Sequence, residues 1–488
     1  MSNSFYPCPL QRCNMPGMND TTPSQRPPQP APAKHKPGGP PRRWWGLPLL
    51  REMRTDYLGF VTRLQRQHGD LTRMRLGYED AWDLMSPDLV REALVTHADQ
   101  LIRWERGIAV FAQVFGPSVL VTEHAAWQRQ RRMLMPAFTP KRVAAYARLM
   151  TDAARTALDA AVPPGQSAAL VPVDALWTGV AMDVILRTLF SEAAQDDARD
   201  AAWATQTLSA TAFHEMFMPF TLPDWLPLPG KAAKRRALRV LKGLVQRHID
   251  ARVAEATQEP PRTDLLHMLL ALRDEATGEA LSPQEVLDQC LVTFQAGHET
   301  SATTLLWWTH LMARHPEAAQ RAQAEVDKVL QGQTPGPEHL SQLPWLGATL
   351  KEALRLYPPI AALMSRRTLA PITLGGCVVP QGAMLRITPW VLHRDERWFA
   401  QADRFMPERF LEGAPPIPKG AWIPFGVGPR VCIGQHFAML EMTLLAAMLL
   451  QRYTVRLPVS DPPCVPVMRV TLRPAVAVRV WLERRTPT

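Results

Sequence analysis

The sequence predicts a mainly α-helical chain with a small β-rich lobe, and three observations lead there. Apolar residues recur at helical spacing through most of 123–357, including one long helix from about Ser282 to Arg314. Short strand-like segments lie near 70–85, at 363–390 and at the end of the chain. Hydrophobic residues make up 46% of 488, enough for a large core, and no internal repeat divides them.

Taken in order, residues 1–40 are polar and proline-rich (Pro27-Pro28-Gln29-Pro30-Ala31-Pro32) and are expected to be disordered, with Met15 and Met18 as alternative starts. The segment Pro40 to Leu50 leads into the folded part, expected as one domain over 41–488. Strand patterns near 70–85 include Leu71 to Leu76, and a helix runs from Pro87 to about Thr96. Segment 105–121 is apolar, punctuated by Gly and Pro and without clear period, so a loop is expected there, anchored by Phe111, Val114, Phe115 and Leu120. Met216 to Pro227 is a proline-broken aromatic link between two helices, and the basic run Lys231–Arg239 after it reads as a solvated helix face. At 363–390, Gly375-Gly376 and Pro380-Gln381-Gly382 supply turns. Strands are expected at Val467–Leu472 and Val476–Trp481.

Composition excludes several classes. No run of about 18 uncharged apolar residues exists, so no transmembrane anchor is expected. The N-terminus lacks the apolar core of a secretory signal. Six cysteines (Cys8, Cys13, Cys290, Cys377, Cys432, Cys464) form no Cys-x-x-Cys pair and no disulfide framework, which fits a reducing, cytoplasmic location. The net charge of +10 comes without a nucleic-acid fold motif or a long Lys/Arg block; an acidic protein partner explains it better than nucleic acid.

The chemistry concentrates in Phe425-Gly426-Val427-Gly428-Pro429-Arg430-Val431-Cys432-Ile433-Gly434, ahead of an apolar helical run, Phe437 to Leu450. A cysteine just before a helix lies at its positive end, where its thiolate is stabilised. Such a soft ligand suits an iron porphyrin. Gly426 and Gly428 permit the φ > 0 conformations of a tight turn, Gly434 leaves room beside a flat macrocycle, and Arg430 reaches for an anionic group. A lone cysteine by a turn is more often a buried structural one. The ordered set Phe-x-x-Gly-x-Arg-x-Cys-x-Gly, however, resembles the haem-binding loop of the cytochrome P450 family at every signature position.

Three further motifs stand in that family's order. Trp127 and Arg131 are four apart on a predicted helix and share a face. The resemblance makes them, with Arg430 and Arg366, donors to haem propionates; Arg367 is the competing choice for Arg366. Ala296-Gly297-His298-Glu299-Thr300-Ser301 lies inside the long helix, where a glycine costs about 1 kcal/mol relative to alanine and, with Thr300, suggests a bent or opened turn. The resemblance implies that Gly297 opens space over the iron, that Thr300 hydrogen-bonds dioxygen and that Glu299 relays protons from solvent, while His298 is structural. Glu352-Ala353-Leu354-Arg355 alone reads as a surface pair worth a few tenths of a kcal/mol. By resemblance it is buried and joined by Arg409 of Pro407-Glu408-Arg409-Phe410, a network for folding and haem retention.

The resemblance, over roughly residues 40 to 485, implies the cytochrome P450 fold, haem b held by Cys432 with Phe425 and Gly434 lining its seat, and O2 as co-substrate. Phe111, Val114, Phe115, Leu120 and Ala296 become substrate-pocket candidates. The expected reaction hydroxylates or epoxidises a lipophilic molecule such as a fatty acid, terpenoid or carotenoid. No flavin or iron–sulfur module is read in the chain, so NAD(P)H electrons are expected through a ferredoxin or flavodoxin with its reductase, docking on Arg129, Arg131, Arg132, Lys141 and Arg142. The alternatives left open are an H2O2-driven peroxygenase, a hydroperoxide isomerase and a non-catalytic haem–thiolate sensor. The pair Glu299–Thr300 argues against all three.

Overall fold

The computed structural model describes residues 37–41, 44–191, 195–216, 224–226, 228–254, 264–459 and 464–485. Residues 1–36 of the expected tail and most of the aromatic link (217–223 and 227) lie outside the described residues.

A 3-10 turn (Trp44–Gly46) precedes α1 (Leu47–Thr55) and α2 (Tyr57–His68). The hairpin of β1 (Leu71–Leu76) and β2 (Glu79–Leu84) follows, then α3 (Pro87–Arg91), widening into a π turn over Glu92–Thr96, and β3 (Leu101–Arg103). Next come α4 (Glu105–Phe115), α5 (His124–Leu134), α6 (Pro140–Ala144), α7 (Ala147–Ala161) and β4 (Ala168–Pro172). The helical body consists of α8 (Val173–Phe190), α9 (Gln195–Met216), α10 (Pro229–Ala254), α11 (Leu265–Ala271), α12 (Pro283–Arg314), α13 (Pro316–Leu330) and α14 (Pro344–Leu356). Strands β5 (Arg366–Thr368), β6 (Ile372–Leu374), β7 (Cys377–Val379) and β8 (Met384–Ile387) are followed by α15 (Pro389–Leu392) and α16 (Gln435–Arg452). The chain closes with β9 (Tyr453–Arg456), β10 (Pro466–Met468), β11 (Leu472–Pro474) and β12 (Arg479–Arg484).

Helix α12 is the central strut. Ser282 caps it in a reciprocal box: Glu285 N–H donates to Ser282 Oγ at 3.2 Å and Ser282 N–H to Glu285 Oε2 at 2.8 Å, with Pro283 in the first turn. It is buried over most of its length, as a helix apolar all round must be. Helices α7, α8, α12, α13, α14 and α16 pack into one core, and α4, α5, α8 to α12 into a second. Trp307 and Trp308 are fully buried, and each indole N–H finds an acceptor, Leu472 O at 2.7 Å and Thr349 Oγ1 at 2.9 Å.

The β lobe holds a five-stranded sheet in the order β1-β2-β8-β5-β3, parallel only between β2 and β8. Its β3–β5 ladder sets Arg103 opposite Arg366. A three-stranded sheet β4-β12-β9 and the hairpins β6–β7 and β10–β11 complete it.

Two expectations need correction. Segment 105–121 opens as the helix α4 and not as a loop: Gly107, Val110 and Val114 form its buried stripe, while apolar residues on the other faces hid the period. Val467–Leu472 is not one strand but runs from β10 through the hairpin turn at 469–471 to the start of β11, and the last strand begins three residues later than Val476.

Among the described residues no helix is long and apolar enough to cross a membrane, and Cys290 and Cys432 form no disulfide.

Candidate active site

The Cys432 loop is closed by its own backbone. Cys432 N–H donates to Phe425 O at 2.9 Å, Val431 N–H to Gly428 O at 3.0 Å and Gly426 N–H to Ile423 O at 3.0 Å. Gly426 (φ 75°) and Gly428 (φ 81°) take left-handed conformations. At Gly428 a Cβ would also lie 2.1 Å from Leu94 O, so no other residue fits. Gly434 caps α16, and its N–H is directed at the Cys432 sulfur. The sulfur lies deep in the molecule yet keeps accessible surface, as a side chain facing an internal space does. Burial pushes the Cys432 thiol up; the Gly434 N–H and Arg131 oppose this without overcoming it. The helix-end effect expected from the sequence is therefore present, but a coordinating cation is what would complete the thiolate.

Beside the sulfur lies a cationic cluster. Arg131 donates to Val431 O at 2.9 Å. Arg430 stacks over the Trp127 ring at 4.1 Å, donates to Thr122 O at 3.1 Å and pairs with Glu123. Arg103, buried on β3, donates to Glu123 Oε1 at 2.8 Å, and Arg366 faces it across the ladder. Burial and then the nearby Arg103 pull Arg366 down to about 10, and the same two causes pull Arg430 down to about 9. Four guanidiniums share one carboxylate, an imbalance that asks for an anion. A haem, with two carboxylates and an iron that takes a thiolate, fits these donors. Arg367 alternates to the other side, where it pairs with Glu79 at 2.6 Å and Glu105 at 2.9 Å. Arg103 and Glu123 escaped the sequence reading, because only the β3–β5 pairing brings them in.

On α12, Ala296 and Thr300 keep accessible surface in the middle of a mostly buried helix. The helix runs unbroken through Gly297, so no opened turn forms; the Thr300 hydroxyl instead donates back to Ala296 O at 2.9 Å. A Cβ at Gly297 would meet the end of the Ile185 side chain on α8, with Cδ1 at 2.7 Å. Glu299 is buried and accepts from Ser209 Oγ at 2.7 Å, Gln295 Nε2 at 3.0 Å and Thr471 Oγ1 at 2.8 Å. His298 is buried, bonded to Phe294 O at 3.1 Å and held below its usual pKa by burial, as a structural histidine should be.

Behind the loop, Glu352 and Arg355 have no exposed side-chain surface and share two 2.7 Å bonds. Arg355 also donates to His393 O and Ala402 O, both at 2.6 Å, and Arg404 O at 3.0 Å, which uses all five of its N–H groups. Arg409 joins at 3.4 Å from Glu352 Oε1. The His393 ring accepts the Ile423 N–H at 2.9 Å and so ties this network to the cysteine loop.

Other candidates divide. Val114 and Phe115 are buried in the second core, whereas Phe111, stacked on Phe115 at 5.9 Å, and Leu120 are half-buried. The expected docking face is weaker than its sequence: Arg131 turns inward, Arg129 pairs with Glu285 at 2.6 Å and Arg132 with Asp274 at 2.9 Å. Lys141 and Arg142 are exposed.

A mainly helical fold with a β lobe, built round an inward-facing cysteine and an arginine seat for an anionic cofactor, defines a haem–thiolate class of protein. The cytochrome P450 family model matches residues 37–477, and the chain belongs to that family. It is 34% identical to cyclooctat-9-en-7-ol 5-monooxygenase of Streptomyces melanosporofaciens, over 86% of this chain and 92% of that protein. It is 34% identical to cyclooctatin synthase of the same organism (86% and 89%) and 32% identical to pentalenene oxygenase of Streptomyces avermitilis (88% and 93%). The chain is thus a P450 monooxygenase, of a family that uses haem iron and O2.

Proposed function

We propose that this chain hydroxylates or epoxidises a lipophilic terpenoid, with haem b held by Cys432. The inward-facing Cys432 beside four arginines and one carboxylate carries the reading. Trp127, Arg103, Arg131, Arg366 and Arg430 would hold the haem carboxylates by charge-assisted hydrogen bonds. Bound haem supplies the iron at which O2 is reduced and one oxygen atom is passed to substrate. Thr300, on the accessible stripe of α12 with Ala296, holds a proton at Oγ1 for transfer, and Glu299 resupplies it. Phe111 and Leu120 keep apolar surface for the substrate. The relatives named for cyclooctatin and pentalenene chemistry support a terpenoid over a fatty acid or carotenoid. Electrons come from NAD(P)H through a ferredoxin or flavodoxin and its reductase, with exposed Lys141 and Arg142 as the remaining docking cations.

The first test is the difference spectrum of the dithionite-reduced protein with CO. A strongly red-shifted Soret band that is lost in Cys432→Ala is expected; an ordinary histidine-type band, or one that survives the substitution, overturns the ligand assignment. Spin-state titration with sesquiterpene and diterpene hydrocarbons then tests the substrate class, fatty acids serving as the competing set.

A further inference from the structure

Glu299 is served from a part of the chain that the motifs do not reach. Thr471 sits at the tip of the β10–β11 hairpin, and its hydroxyl donates to Glu299 Oε1 at 2.8 Å. Arg473 Nε donates to that hydroxyl oxygen at 3.2 Å, and its Nη2 lies 3.7 Å from Glu299 Oε1. The other arm of Arg473 pairs with Asp174, whose side chain is half exposed. A hydroxyl whose lone pair is taken by Arg473 must point its proton elsewhere, here at Glu299. Thr471 itself is buried, and the second lone pair of its Oγ1 is the position left for a water molecule entering past the Arg473–Asp174 pair. His298, buried and uncharged, is the other titratable group beside Glu299.

We propose that the tip of the C-terminal hairpin is the solvent-side entry for the protons that Glu299 delivers, with Thr471 as the relay hydroxyl and Arg473 as the positioning residue that aims it. In the step, a hydronium ion of solvent gives a proton to Thr471 Oγ1 and leaves as water, while the Thr471 hydroxyl proton moves to the Glu299 carboxylate at Oε1. One O–H bond forms and one breaks at Thr471, and Arg473 keeps all its protons. The inference rests on the reading of Glu299 as the proton-delivering acid. The hairpin itself is anchored independently, by Leu472 N–H on Pro359 O at 2.9 Å and Trp307 on Leu472 O, so Thr471 can change without detaching it.

The test uses the haem-loaded full chain and the variants Thr471→Val, Thr471→Ser and Arg473→Gln. The infrared carboxyl stretch of Glu299, assigned with Glu299→Gln, should move in Thr471→Val, because the carboxyl loses a donor. NAD(P)H-driven O2 consumption with a surrogate ferredoxin and reductase should fall at least about tenfold, with a larger H2O/D2O ratio, and Thr471→Ser should restore both. A moved carboxyl band with unchanged O2 consumption would make Thr471 a structural partner only and overturn the proposal. If Thr471→Val fails to fold, Arg473→Gln decides: slower consumption supports the aiming role, and a parental rate and isotope ratio refute it. The CO spectrum of the parent separates the cases, since loss of its red shift sinks the haem–thiolate reading, whereas a normal band with an indifferent Thr471 sinks only this one.

Discussion

Replacing Arg355 by lysine keeps a positive charge and removes a geometry. The guanidinium places five N–H donors on Glu352 and on three carbonyls, with no side-chain surface exposed. An ammonium has three donors on one atom and cannot span acceptors contributed by α14, the 393 turn and the 402–404 segment. At least two buried acceptors lose their partners, at about 1–3 kcal/mol each, so Arg355→Lys should cost about 3–5 kcal/mol. For a chain of this length the unfolding entropy is about 1 kcal/mol/K, which converts the loss to a Tm drop of about 3–5 °C. Circular-dichroism melts measure it, with Glu52→Ala as the control: that pair with Arg63 is exposed on both sides and should be worth less than about 1 kcal/mol. Hydrogen exchange at 421–432 should quicken in the same variant, because the His393 carbonyl that Arg355 holds belongs to the residue whose ring binds Ile423. A loss below about 0.5 kcal/mol for Arg355→Lys would show that charge alone, and not five-point bonding, holds the network.

Two further outcomes follow from the same region. His393 is held neutral, its pKa lowered to about 3 by burial and then by Arg355, because protonated Nε2 could no longer accept from Ile423. Above about pH 6.5 it is neutral folded and unfolded and contributes nothing; below that the unfolded chain binds a proton that the folded chain refuses. Stability should therefore fall by about 2 kcal/mol between pH 7 and pH 5 from this group, a slope that His393→Gln should flatten in paired urea titrations. Gly428→Ala and Gly426→Ala share a positive φ but not a neighbourhood: Leu94 O blocks the first and nothing lies within 4 Å of the second. The first should abolish haem retention on gel filtration, while the second should cost about 1–2 kcal/mol and retain it; equal behaviour would contradict the packing given for the loop.

What the sequence made legible was local. The cysteine loop, the Ser282 cap with α12, and Glu352 with Arg355 each reside in a few consecutive residues whose spacing fixes their shared face. What it hid depends on pairing between distant segments. Arg103 enters the site only because β3 meets β5 some 260 residues later in the chain, and Thr471 reaches Glu299 only because a predicted strand folds back as a hairpin. Helix α4 was missed because apolar side chains on several faces blur a 3.6-residue period. The exposed charge expected on α5 was cancelled by Asp274 and Glu285, which no local pattern links to it.

The alternation of β5 turns a count of residues into a choice of chemistry. Arg366 and Arg367 are identical side chains, one turned toward the cationic seat and one toward Glu79 and Glu105. Inserting or deleting a single residue between Leu363, whose N–H is fixed on Ile387 O, and Arg366 would exchange their faces. A deletion would put Arg367 in the seat and Thr368 in the place that faces Glu79, whereas an insertion would put Arg366 in that place and Ser365 in the seat. Length in this short link is therefore under tighter constraint than identity: a substitution at Met364 or Ser365 alters a contact, whereas an indel re-addresses every side chain that follows.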